Sequence, residues 1–151
     1  MPTQKASFVP PGAGPQYFVL GDFVTVKVHG HETGGVFSQI ETTCGPQIGP
    51  PPHVHHREDE TFYVLEGEFE FVCGGERMRG GPGAVVRLPR DVPHSFKNVS
   101  DIPGRVLVTM TPAGFEGFFA EVGSLRPEQQ GDFSRVGELA ARYGLEFLPS
   151  A

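Results

Sequence analysis

The sequence predicts an all-β protein, a small closed or double-sheet antiparallel fold made of short strands. It contains 21 glycines and 15 prolines among 151 residues, too many for long helices but well suited to strands joined by tight turns. Runs of alternating apolar residues recur along most of the chain, with turn residues between them. A chain of this length fits one domain, which can bury roughly two-thirds of its unfolded surface without disulfides or a partner.

The first predicted element is an extended arm. We assign residues 1–17 to it, because the prolines and glycines of residues 10–15 exclude a helix or a central strand. The barrel is then assigned to residues 18–112. It begins with alternating apolar residues at 24–28, which a hairpin turn through Gly30, Gly34 and Gly35 connects to a second strand at 36–40.

Further strand-like runs follow the prolines at 50–52. Glycine pairs at 74–75 and 80–81 and the polar pair at 100–101 separate several of these runs. Such spacing is typical of a closed or double-sheet antiparallel fold. The predicted strands are residues 53–56, 61–65, 69–73, 76–79, 84–88, 94–99 and 105–111.

The last predicted part, residues 113–151, is a helical extension packed on the barrel. The first helix is indicated by apolar side chains at helical spacing, namely Phe115, Phe118, Phe119 and Val122. Ser134 can cap a second helix that ends near Tyr143, with Gly144 just beyond its end.

Charge and cysteine content narrow the class of protein. The 12 basic and 18 acidic residues give a net charge of −6, so we expect neither nucleic acid nor a membrane surface as a partner. Cys44 and Cys73 lack the spacing of a thiolate zinc site or a disulfide framework, and we expect buried, reduced thiols. No leader pattern and no apolar run of about 18 residues is present, which predicts a cytoplasmic protein.

Candidate metal ligands occur after the proline run. His53 and His55 are two residues apart, so on a strand both imidazoles project from the same face, whereas His56 projects from the other. Glu60 follows five residues after His55, and Glu58 and Asp59 are competing candidates beside it. Imidazole and carboxylate together favour a divalent transition ion over calcium.

A second segment, residues 83–98, supplies His94 after a proline-marked turn. With it the pattern resembles the two motifs of the cupin superfamily: His-X-His, four residues, Glu, six residues and Gly at 53–67, then Gly, five residues, Pro, a turn, and His, three residues, Asn at 83–98. The pattern departs at Gln47 and Asp91, where the family usually has glycine, and neither position is a ligand.

The resemblance implies a single-domain jelly-roll barrel, also called a double-stranded β-helix. It also implies one divalent ion held by His53, His55, Glu60 and His94. Manganese, iron, cobalt, nickel, copper and zinc all suit such ligands. Within the cupins, residues 50–62 are similar to single-domain bacterial proteins of the quercetin 2,3-dioxygenase type. That similarity implies a dioxygenase acting on a small enolisable or phenolic substrate, with Glu60 as ligand and general base.

Two other functions stay open on the sequence. The ion could act as a Lewis acid in isomerisation, lyase chemistry or hydrolysis, or the chain could be a non-catalytic module that binds a small molecule.

A second His-X-His, at His29 and His31, lies on a predicted turn without a matching acid, so we interpret these two histidines as surface residues. The cupins that this chain resembles commonly form pairs through their barrel strands. The resemblance therefore predicts a homodimer.

Overall fold

The computed structural model of the protein describes residues 5–149, which form eleven strands and three α-helices. The strands are β1 (Gln16–Val19), β2 (Asp22–Val28), β3 (Ser38–Cys44), β4 (His53–His55), β5 (Asp59–Glu66), β6 (Phe69–Cys73), β7 (Glu76–Gly80), β8 (Val85–Leu88), β9 (His94–Asn98), β10 (Gly104–Thr111) and β11 (Leu145–Phe147). They make two antiparallel sheets, in the orders β1-β2-β3-β10-β5-β8 and β11-β4-β9-β6-β7. The predicted all-β jelly-roll fold with short C-terminal helices is confirmed.

The core lies between the two sheets. Along β3 and β10 every second residue is buried, as the two-residue period of a strand requires when one face packs inward. Burying a large apolar side chain contributes about 1.5 to 3 kcal/mol. The largest fully buried apolar side chains are Phe62, Phe69, Phe71, Leu88 and Met110.

The chain enters the barrel through a hairpin that the sequence did not reveal. β1 begins at Gln16, inside the segment predicted as an extended arm, and residues 1–4 of that arm lie outside the described residues. β1 and β2 are joined by Leu20 and Gly21, with φ angles of 49° and 96°. Positive φ at both turn residues is typical of a type I′ turn, which follows the twist of paired strands.

The second hairpin also differs from its predicted form. β3 begins at Ser38 rather than at residue 36, and Val36 is exposed. Gly30–Glu32 form a short 3-10 helix between the strands. The Thr33 hydroxyl stabilises this wider connection, since it donates to the carbonyl of Phe37 and accepts from the Phe37 amide.

The C-terminal part contains α1 (Glu116–Gly123), α2 (Pro127–Gln130) and α3 (Phe133–Arg142). Ser134 was the wrong cap for α3: the Asp132 side chain accepts the hydrogen bond from the Arg135 amide. β11 then returns to the barrel and pairs with β4, so this segment is not purely helical. None of the helices in the described residues is long and apolar enough to cross a membrane.

Candidate metal centre

Three strands bring the four predicted ligands together. His53 and His55 lie on β4, Glu60 lies on β5, and His94 is the first residue of β9. β4 and β9 are paired with His53 opposite His94, while β5 belongs to the other sheet. The four side chains therefore meet between the sheets, where each residue is only 3% to 6% exposed.

The geometry of this group suits a single ion. Each of the four residues offers one ligand atom, and these atoms all lie within 4.8 Å of one another. Glu60 Oε1 lies 3.1 Å from His55 Nε2 and 3.1 Å from His94 Nε2. Two ligand atoms that bind the same transition ion, each at about 2.0 to 2.2 Å, lie about 3 Å from each other. The distances from Glu60 Oε1 to the two histidine nitrogens agree with this value.

Each imidazole is oriented by a partner on its outer nitrogen. His53 Nδ1 donates to the Pro51 carbonyl at 2.8 Å, His55 Nδ1 to Glu58 Oε1 at 2.8 Å, and His94 Nδ1 to the Val92 carbonyl at 3.3 Å. Such hydrogen bonds fix the tautomer that leaves Nε2 available to a metal. All three histidines are thus held in a ligating orientation.

Two atoms of the group are buried without a hydrogen-bond partner among the described residues, Glu60 Oε1 and His94 Nε2. A buried polar atom left unpaired costs about 1 to 3 kcal/mol, more when it is charged. A cation between these atoms would satisfy both of them. Three nitrogens and one carboxylate oxygen are also a donor set that favours a transition ion.

Two members of the group, His53 and Glu60, carry the charges that metal binding needs. Burial lowers the pKa of His53 to about 3, and repulsion from His55 and His94 adds to that effect. Burial raises the pKa of Glu60, but attraction to His55 and His94 outweighs it and brings the pKa to about 2. His53 is therefore neutral and Glu60 ionised near neutral pH, the forms in which these side chains bind metal ions.

The competing acids have other partners. Glu58 is buried, but it contacts the outer nitrogen of His55. Asp59 accepts hydrogen bonds from the Arg90 amide at 2.9 Å and from its guanidinium at 3.2 Å. Among the three acids, Glu60 is the one that joins the histidines in the group able to hold a metal.

The remaining histidines lie at the surface. As predicted, His56 projects away from the group and is exposed, with its two ring nitrogens on Asp91 and Glu146. His29 and His31 are also exposed, as expected for that second His-X-His. Within residues 5–149, the group of His53, His55, Glu60 and His94 is the one cluster with metal-ligand spacing.

The cysteines partly follow the prediction, since both are free. Cys44 is fully buried, whereas Cys73 is only partly buried. Burial raises the pKa of both thiols, and charged neighbours, Asp22 for Cys44 and Glu76 for Cys73, raise it further. The shifts favour the protonated, unreactive form.

A cavity opens beside the group of four. Its walls are largely apolar and include Phe62 and Phe96 from the strands, Phe115, Phe118 and Phe119 near the first helix, and Phe147 from β11. Phe115 packs edge-on against His55, with ring centroids 4.6 Å apart. The sequence shows the helical spacing of Phe115, Phe118 and Phe119, but their position over the site depends on how α1 folds back.

The sequence does not mark one ionisable residue that lines the cavity. Asp22, at the start of β2, lines the cavity and is buried. It stands in a glycine-flanked turn region, where an aspartate is ordinary. Nothing in the local sequence marks it as a site residue.

Comparison with known proteins agrees with this geometry. Residues 41–110 match the cupin domain family. Over 71 residues the chain is 34% identical to the quercetin 2,3-dioxygenase of Bacillus subtilis (strain 168), covering 47% of this chain and 21% of that protein. Over 104 residues it is 28% identical to the quercetin 2,3-dioxygenase of Aspergillus japonicus, covering 64% of this chain and 29% of that protein. The chain thus spans less than a third of either relative.

A solved structure extends the likeness to three quarters of the chain. KdgF from Halomonas sp. is similar with a TM-score of 0.67 at 21% identity, and the match covers 75% of this chain and 99% of that chain. At that identity the likeness bears on the fold alone. With both motifs in sequence, the two-sheet barrel around a buried His-His-Glu-His group and the domain match, residues 41–110 of the chain form a domain of the cupin family.

Proposed function

We propose that the protein is a metal-dependent dioxygenase of the quercetinase type, acting on a small enolisable or phenolic substrate. The observation that carries the proposal is the buried group of three histidines and one glutamate beside a phenylalanine-lined cavity. The similarity to two quercetin 2,3-dioxygenases supports the reaction class. His53, His55, Glu60 and His94 would hold one divalent transition ion.

A bound ion of this kind supplies a Lewis acid that makes a nearby hydroxyl easier to deprotonate. The protein's own contribution begins at the carboxylate of Glu60, a residue that lines the cavity. An ionised carboxylate in that position can accept the proton of a substrate hydroxyl. Glu60 is therefore the residue to which we assign the role of general base.

The aromatic walls serve binding and orientation. Phe62 and Phe96 have ring centroids 4.9 Å apart inside the barrel, and Phe115 lies over His55. Aromatic rings pack favourably in offset or edge-to-face arrangements. Such walls would hold a flat ring with its hydroxyl toward Glu60 and exclude water from the deprotonated oxygen.

Metal analysis and oxygen uptake test the proposal together. The parent protein should contain about one divalent transition ion per chain, and His53→Ala with His94→Ala should lose most of it, because two of four ligands are gone. With flavonols and other enolisable phenols, the loaded parent should consume oxygen. A metal content unchanged in the double variant contradicts the ligand assignment. Metal binding without oxygen uptake on any of these substrates contradicts the dioxygenase and favours a Lewis-acid enzyme or a binding module.

A further inference from the structure

A second polar anchor lies in the cavity, away from the group of four. Among the described residues that line it, Asp22 is the one ionisable side chain outside that group, and Thr42 is the other polar one. Asp22 is on β2 and Glu60 is on β5, with β3 and β10 between them in the same sheet. The carboxyl of Asp22 thus reaches the cavity from a different side than Glu60.

The carboxyl of Asp22 is incompletely satisfied. The residue is 7% exposed, and its Oδ1 atom is buried with no hydrogen-bond partner among residues 5–149. Burial raises the pKa of Asp22 to about 6, although a hydrogen bond with the Cys44 thiol lowers it somewhat. A buried carboxyl with an unpaired oxygen is costly to the fold.

The backbone around Asp22 is held firmly. Leu20, at φ 49°, is a non-glycine residue in the left-handed region, which is costly and persists only where the surroundings impose it. Gln130 of α2 holds the turn in place: its Oε1 accepts from the Leu20 amide at 3.0 Å, and its Nε2 donates to the Phe18 carbonyl at 2.9 Å. The hairpin therefore presents Asp22 in a defined position.

From these observations we infer that Asp22 is a specificity-determining residue, whose Oδ1 accepts a hydrogen bond from a hydroxyl on the part of the substrate remote from Glu60. This inference rests on the proposed function, because it needs a substrate in the cavity. It narrows the substrate class to ring compounds that carry a second hydroxyl. A site that hydrogen-bonds a substrate hydroxyl rejects the analogue that lacks it, since the buried group is then left unpaired.

The first test needs no substrate. Asp22→Val removes the carboxyl with its unpaired Oδ1, and the matched control is Thr25→Val, at a buried threonine of the same strand that does not line the cavity. If the carboxyl is kept for a ligand, Asp22→Val should raise the melting temperature, by roughly 5 °C, as removal of an unpaired buried group at a functional site does. A lower melting temperature for Asp22→Val means that the carboxyl stabilises the fold and overturns the inference.

The second test measures binding to the metal-loaded protein without oxygen, so that no turnover occurs. The probes are quercetin and 3-hydroxyflavone, which share the ring system and the 3-hydroxyl but differ in the outer hydroxyls. The parent should bind quercetin about 10-fold or more tightly than 3-hydroxyflavone. Asp22→Val should bring this ratio close to one, and Thr25→Val should preserve it.

An unchanged ratio in Asp22→Val, or no binding of either flavonol by the parent, overturns the inference. The failure of the proposed dioxygenase is a different result: the binding ratio and its dependence on Asp22 persist, but oxygen uptake is absent. The two proposals can therefore fail separately.

Discussion

Three consecutive acids, Glu58, Asp59 and Glu60, have three different partners. Alternation along β5 puts Glu60 inside the barrel and Asp59 outside, where it pairs with Arg90. Glu58 precedes the strand and turns back to His55. Chemically similar side chains at neighbouring positions therefore have distinct consequences when they are changed.

Replacing Glu60 tests the base. Glu60→Gln keeps the size of the side chain and removes its ability to accept a proton, so turnover should fall by about 10² to 10⁴. Bound metal should fall much less, because three imidazoles remain. Asp59→Asn is the control and should keep most activity. Oxygen uptake and metal content measured on the same samples decide the point, and full activity in Glu60→Gln would show that another group takes the proton.

Replacing Glu58 tests the support of the metal group. Because its carboxylate orients the His55 ring, Glu58→Gln should weaken metal affinity by about 10- to 100-fold. A chelator competition titration measures this affinity, and Asp59→Asn again serves as the control. Equal affinities in the parent and Glu58→Gln would contradict an orienting role for Glu58. Proton NMR of the His55 ring in Glu58→Ala gives a second readout, since loss of the hydrogen-bond acceptor should release the fixed tautomer.

At the scale of elements, the helices hold the barrel together as well as covering it. Gln130 of α2 joins three elements by hydrogen bonds to Leu20, to the Phe18 carbonyl and to the Val122 carbonyl of α1. β11 adds a strand beside β4, the strand that carries His53 and His55. The C-terminal segment therefore supports the site from two sides.

The Gln130 contacts give a prediction for stability. Gln130→Ala leaves buried backbone groups unpaired, which should lower the free energy of unfolding by about 2 kcal/mol or more. In a domain of this size that corresponds to a fall of about 4 to 8 °C in melting temperature. Gln129→Ala, in the same helix but bonded only to the exposed Arg126 amide, should change it much less. Equal melting temperatures for both variants would contradict the role given to Gln130.

At the scale of the whole molecule, the outer face of the larger sheet carries apolar side chains at its edge. Tyr63 of β5 and Val85 of β8 are cross-strand partners and are 45% and 60% exposed. β8 is an end strand of this sheet. An exposed apolar edge is a common place for two copies of a chain to associate.

We expect a homodimer with this edge in the interface. Light scattering should give twice the 16.3 kDa chain mass, and Val85→Glu should shift the mass toward that of one chain, because the interface would bury an unpaired charge. Val36→Glu, at a similarly exposed valine in the turn before β3, is the control and should remain dimeric. A monomeric parent at concentrations on the order of tens of micromolar would contradict the prediction.

Much of this molecule can be predicted from the sequence because its signals are local. Strand alternation, glycine turns and the spacing of His53, His55 and Glu60 depend on the two-residue period of a strand. Most strands therefore lie within a few residues of their predicted positions. Even the outward direction of His56 follows from that period.

What only the tertiary structure decided depends on residues far apart in the chain. Alternation alone cannot choose between Glu58 and Glu60, since both have even numbers, and the choice depends on where β5 begins. The pairing of β11 with β4 joins residues about ninety positions apart, and the hydrogen bond between the Leu20 amide and Gln130, close to Asp22, joins residues 110 positions apart. Such contacts depend on how the sheets close and how the helices fold back, which no local period encodes. The sequence by itself determined the barrel and the spacing of the candidate ligands, and the packing decided which acid joins the histidines and what surrounds the group.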